Sequence, residues 1–241
     1  MLKAEGFEYE ANGAGEAVLL IHGSHIADAH APLMREAALA ERYRLIRYHR
    51  RGFAGSARMT GAFSIERQAQ DALALLTHLG VERAHVVGHS YGGAIGLQLA
   101  IDAPSRVRSL VVLEPAIMGP DTSAAFFEAA APIFAAYGAG DHAKAVDLFL
   151  TAVSAPDWRS VVEHTVPGGP EQAEKTPLPS STSKFRRFRS GSSTPTGPLA
   201  LRHRCCTSSG ATAAPSSNPT SSTSGRCSPT PSTPWCPAST T

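Results

Sequence analysis

One stretch, HVVGHSYGGA at His85–Ala94, constrains the fold more than any other. Ser90 stands between Gly88 and Gly92, after a short apolar run and before the helical-looking run AIGLQLA. A chain that leaves a strand and enters a helix this abruptly must turn sharply, and glycines permit the close backbone approach. A serine at the apex of such a turn is held in a strained conformation. The helix that follows points its free N–H groups at the same place, where developing negative charge is favoured. The stretch fits G-x-S-x-G, a nucleophile motif whose value lies in this strand–turn–helix context. The plainer reading is a glycine-rich turn carrying an incidental serine, and two correct flanks count against it. A serine hydroxyl is protonated at neutral pH, however, so a nucleophile here needs a base.

The same alternation recurs along the chain. Ala17–Ile21 (AVLLI), Arg44–Tyr48 (RLIRY), Ala84–Val87 (AHVV) and Val107–Leu113 (VRSLVVL) are short apolar runs that predict buried strands. Helical patterns lie between them at Pro32–Arg42, Ser64–Leu79 and Tyr91–Asp102. The second places Ala69, Ala72, Leu73, Leu76 and Leu79 on one stripe, opening at Ser64 and stopping at Gly80. Short strands alternating with helices predict an α/β fold, a mostly parallel sheet covered by helices on both faces.

From Gly119 to Val153 the pattern is helical only, with Gly138–Gly140 breaking it into two helices. This predicts a helical cap over a pocket, taken as residues 119–170, after a core over residues 1–118. Ordinary crossover helices are the alternative.

Beyond Lys175 the periodicity stops. Of the 65 residues from Pro177 to Thr241, 37 are Ser, Thr or Pro, none is acidic, and seven are Lys or Arg. The formal net charge of +2 hides this break, since residues 1–176 hold 15 basic against 20 acidic residues. One reading is a disordered basic extension. The other comes from the genetic code. All but eight tail residues have G or C as the second codon base in all or most of their codons. A GC-rich gene read one base late moves its wobble base into that position, so the tail reads as an out-of-frame translation with no foldable core.

The 42% hydrophobic content suffices for a globular core. All four cysteines lie in the tail and none in the first 176 residues, which fits a reducing compartment. The N-terminus MLKAEGFEYEANG lacks the apolar run of a signal peptide, and no apolar run is long enough to span a membrane. The expectation is a soluble, cytoplasmic protein without a membrane partner. No Cys/His cluster with ligand spacing suggests a metal, and no cofactor is expected.

Two further loops follow strands. His22-Gly23-Ser24 follows AVLLI, and glycine there would let backbone N–H groups turn toward Ser90. The candidate oxyanion donors are the N–H groups of Ser24 and Tyr91. His22 reads as a residue that orders the loop rather than as the base. His49–Ser56 (HRRGFAGS) follows RLIRY. Arginines beside glycines suggest phosphate binding, but no Gly-Lys-Ser/Thr element follows, so structural packing is the preferred reading.

Together, HGS at 22–24, HRRGFAGS at 49–56, GHSYGG at 88–93 and LVVLEPA at 110–116 resemble an α/β-hydrolase-fold enzyme of the cofactor-free esterase type. The resemblance covers about residues 1–170. It implies Ser90 as nucleophile and a small-molecule acyl substrate, an ester or related compound. Dehalogenase and epoxide-hydrolase relatives carry Asp at the equivalent turn. The family order of Ser, then acid, then His places both remaining partners beyond residue 176, where nothing matches. His203 is the one tail histidine, without a strand before it. Glu114 is a candidate substitute acid, or it orients the cap entrance. None of His85, His89, His142 and His164 matches the family's base position.

The reading is therefore a serine hydrolase impaired in this chain by loss of its acid and histidine. A catalytically silent ligand-binding protein on the same fold is the alternative. Nucleic-acid binding by the tail is not expected, because stacking residues there are few. The sequence leaves oligomeric state and substrate identity open.

Overall fold

The computed structural model describes residues 1–58, 63–117 and 120–176, with no side-chain placement for residues 120–124. The tail and its frame lie outside the described residues.

Six strands form one sheet: β1 (Leu2–Ala4), β2 (Phe7–Asn12), β3 (Glu16–Ile21), β4 (Tyr43–His49), β5 (Ala84–His89) and β6 (Val107–Leu113). Their spatial order is β1-β2-β4-β3-β5-β6. β3, β4, β5 and β6 pair in parallel, while β1 and β2 join as an antiparallel edge. The parallel part is the predicted one. The antiparallel edge was not predicted. FEYEAN buries Phe7 and Tyr9 on one face and sets the half-buried Glu8 and Glu10 on the other, a short two-residue alternation.

Helices cover both faces. On one side, α2 (Ile65–His78) and α3 (Tyr91–Asp102) pack Ala72, Leu75, Leu76, Ile95 and Leu99 against Leu19, Ile21, Ile46 and Val86. Ser64 caps α2 by accepting the Arg67 N–H at 3.2 Å. On the other side Leu20 and Leu45 meet Met34. The helix predicted over Pro32–Arg42 is instead a single 3-10 turn at Pro32–Arg35 followed by one turn of helix, α1 (Ala37–Ala40). Glu36 between them is extended (φ −70°, ψ 109°), which breaks the run.

After β6 come α4 (Pro120–Ala129), α5 (Ala131–Gly138), α6 (His142–Val153), α7 (Trp158–Thr165) and α8 (Gly169–Lys175). Where two helices were predicted up to Val153, three form, because the chain also breaks at Ala130. Val146, Leu150, Trp158 and Ala173 make a second core that includes Ile26 from the loop after β3. Through Ile26 this helical layer rests on the β3 loop.

Candidate active site

Ser90 sits where β5 passes into α3, with φ 51° and ψ −120°. This is the left-handed region, costly for a residue with a Cβ, and it is sustained by the packing around it. A Cβ on Gly88 would lie 2.7 Å from the Gly92 carbonyl carbon, and one on Gly92 would lie 2.6 Å from the His22 carbonyl oxygen. Only glycine fits either place. Leu113 accepts the Ser90 N–H at 2.9 Å, and Ser90 accepts the Ala116 N–H at 3.0 Å. The turn after β6 thus brackets the Ser90 backbone from both sides.

Glu114 occupies that bracketing turn, is exposed, and itself has φ 44°. Two strained non-glycine residues therefore face one another across adjacent strand ends. Among the described residues no histidine hydrogen-bonds to the Ser90 hydroxyl or to Glu114.

The loop after β3 is rigidly held. The His22 ring is fully buried, with Nε2 accepting the Arg50 backbone N–H at 3.1 Å, so Nδ1 carries the proton and donates to the Gly23 carbonyl at 2.8 Å. Burial, then the nearby Arg50 charge, pushes its pKa well below the ordinary value, so the ring is neutral. Both nitrogens are committed, and His22 orders the loop as the sequence suggested. Arg50 Nη2 donates to the same Gly23 carbonyl at 2.8 Å. A trans peptide sets its N–H opposite its C=O, so the Ser24 N–H points away from Arg50 and His22. A Cβ on Gly23 would sit 3.2 Å from the Ser90 Cβ, which places this peptide beside the serine. Tyr91 opens α3 directly after Ser90, so its backbone N–H lies at the N-terminal end of that helix.

Arg50 is 2% exposed. Its guanidinium donates to Gln68 Oε1 and lies over the rings of Phe53 (4.4 Å), Tyr91 (5.2 Å) and Phe63 (5.9 Å). Burial lowers its pKa to about 10, still leaving it charged at neutral pH. This positive charge and the α3 N-terminus both favour negative charge forming near Ser90. HRRGFAGS thus acts in packing, although Arg50 packs against the loop beside Ser90.

Three residues of this neighbourhood were not legible in the sequence. His25 and His30 are buried, and desolvation lowers both to about 4. His25 meets the Phe149 ring of α6 at 4.9 Å between centroids. Asp28 accepts from His49 Nε2 at 2.9 Å, from Arg47 and from Gln172 Nε2 at 2.7 Å, and these bonds hold its pKa far below the usual carboxylate range. The other His49 nitrogen, Nδ1, lies 3.0 Å from Glu8 Oε2. The available signal was three histidines within nine residues, His22, His25 and His30.

The sheet, the glycine-tight turn and the loop beside it define an α/β hydrolase, and a family model for the alpha/beta hydrolase fold matches residues 16–141. The chain belongs to that family. Among curated relatives it is similar to the protein named carbamate hydrolase RutD of Azorhizobium caulinodans, 38% identical over 143 residues, 59% of this chain and 53% of that one. It is 39% identical over 111 residues to a fluoroacetate dehalogenase of Burkholderia sp., 42% of this chain and 35% of that one. The chain spans about half the length of the curated relatives it matches. Among solved structures, the enol-lactonase of Burkholderia xenovorans LB400 superposes with a TM-score of 0.60 at 22% identity, over 71% of this chain and 65% of that one. An alpha/beta hydrolase of Sphaerobacter thermophilus gives 0.54 at 26% identity, over 71% and 67%.

Among the described residues no group of three or more His, Cys, Asp or Glu side chains is placed to hold a metal, and no helix is long and apolar enough to cross a membrane.

Proposed function

We propose that the family chemistry of this chain is acyl hydrolysis, with Ser90 attacking the carbonyl of an ester or related acyl compound. The strained Ser90 backbone, enforced by glycines that accept no Cβ, carries this reading. The Ser24 and Tyr91 N–H groups hold the oxyanion, and the buried Arg50–His22 pair fixes the Ser24 peptide from behind. The name carbamate hydrolase on several relatives fits attack at an acyl carbon. A dehalogenase is also among the relatives, but Ser90 stands where halide-displacing members carry Asp.

A histidine must still take the Ser90 proton, and Glu114 or a later residue must orient it. The reading places that histidine in the region after Lys175, lost because the tail is translated out of frame. The chain as it stands therefore turns over poorly. Loss of a base costs several powers of ten in rate.

Restoring the frame by one base after Lys175 tests the reading. The restored chain should hydrolyse p-nitrophenyl acetate and carry a fluorophosphonate adduct on Ser90, both abolished by Ser90→Ala. A restored chain that folds but leaves Ser90 unlabelled overturns the nucleophile and favours a silent ligand-binding member of the family.

A further inference from the structure

At the opposite end of the sheet, three adjacent strands present a second hydrogen-bonded chain. Ser109 Oγ on β6 lies 2.7 Å from His85 Nδ1 on β5, and His85 Nε2 lies 3.0 Å from Glu16 Oε2 on β3. The Glu16 carboxylate accepts at Nε2 and is held below its usual range chiefly by that bond, so Nε2 carries the ring proton and Nδ1 is the acceptor facing Ser109. Arg108 Nη1 grips the other Glu16 oxygen at 3.1 Å, and the Tyr43 ring meets the imidazole edge-on at 5.9 Å between centroids. Carboxylate, imidazole and hydroxyl are thus aligned as nucleophile, base and orienting acid.

A local irregularity creates this alignment. The β5–β6 register runs from Ala84↔Val107 directly to His85↔Ser109, so Arg108 is an extra residue. Such a bulge re-aims neighbouring side chains, here setting Ser109 opposite His85 and Arg108 toward Glu16. Ser109 is exposed, while the His85 side chain is 25% exposed, so an outside molecule reaches the hydroxyl. Val111 and Leu113 lie two and four residues along the same face of β6 and are 47% and 45% exposed. They offer an apolar strip beside the hydroxyl. Ser90 is five residues along β5 from His85, roughly 16 Å at strand rise, so this base serves Ser109 alone.

The geometry points to a second reactive serine, Ser109, activated by His85 and Glu16, that accepts acyl groups from activated aryl esters of small apolar acids. Its Oγ bonds to the acyl carbon as the bond to the aryl oxygen breaks. The hydroxyl proton passes to His85 Nδ1 and from there to the departing aryl oxide, leaving acyl-Ser109 and a phenol. This does not depend on Ser90 being a nucleophile.

The test uses the full chain carrying Ser90→Ala, treated with p-nitrophenyl acetate and mapped by peptide mass. One acetyl group should appear on Ser109 and vanish on adding Ser109→Ala. His85→Gln should slow its appearance by about a hundredfold, the usual contribution of a general base. Glu16→Gln, an exposed change that spares the fold, should slow it less. Acetylation confined to lysines and the N-terminus, or a Ser109 rate unchanged in both His85→Gln and Glu16→Gln, overturns the inference. Failure would leave the Ser90 reading intact, because Ser90 is absent throughout.

Discussion

Arg50 reaches across from the loop after β4 to hold the Gly23 carbonyl at 2.8 Å, sharing that oxygen with His22. Among the described residues no carboxylate pairs with this buried guanidinium, and three aromatic faces and Gln68 hold it in place. The consequence lies one bond away, in the orientation of the Ser24 N–H. In a chain re-read by one base after Lys175, the form proposed to be active, Arg50→Lys keeps the charge but loses the two-pronged grip. Removing an oxyanion donor outright costs about a hundred- to a thousandfold in kcat. Loosening one should cost roughly tenfold, with KM nearly unchanged, as steady-state ester hydrolysis will show.

Glycine positions give a contrast in stability. Gly92→Ala drives a Cβ into the β3 carbonyls and should cost on the order of 3 kcal/mol, the upper range for overpacking. Gly138, at the end of α5, has open space around it and no positive φ. Gly138→Ala should therefore stabilise by about 0.5 kcal/mol. Urea midpoints of the two variants measure both signs.

Acid should unfold this protein early. His25 and His30 are held at about 4 by burial, against an ordinary value of 6.5. Between those values the unfolded chain binds protons that the folded chain refuses, so stability falls as pH drops from 6.5 toward 4. Each ring contributes on the order of 3 kcal/mol over that window. Asp28 and Glu8, both lowered, add a further loss below the ordinary carboxylate range. Thermal melts from pH 7 to pH 4 should show the decline, and His30→Gln should flatten it.

β6 ends the sheet among the described residues and exposes Val111, Val112 and Leu113. An edge strand of this kind templates further pairing, and a charge on it discourages that. Val112→Lys should reduce concentration-dependent light scattering while changing stability by no more than about 0.5 kcal/mol.

How much of this was legible beforehand depended on distance along the chain. The β5–Ser90–α3 unit and the capped helix α2 could be read because each is contiguous, with Ser64 and Gly80 marking the ends of the latter. β2 was hidden because its glutamates interrupt any apolar run. The Arg50–Gly23 grip and the Glu8–His49–Asp28 bonds join residues 21 to 41 positions apart, which no local pattern reveals. The Ser109–His85–Glu16 alignment depends on one extra residue in β6, and periodicity passes over a single-residue bulge. The helix break at Glu36 comes from an extended backbone with no glycine or proline there, whereas the one at Ala130 precedes a proline in the first turn of α5.

Asp28 and Gln172 exchange two hydrogen bonds across 144 residues, and Thr176 reaches the His25 carbonyl nearby. On the ribosome, the β3 loop must therefore wait for nearly all of the described body to be synthesised before it is closed. Closure is complete by Thr176, at the point where the tail begins. A slip of frame beyond Thr176 would thus come too late to prevent this latch from forming. A chain altered there keeps its prepared serine and the loop beside it, and a cell would have to detect the fault by lost chemistry rather than by a missing latch.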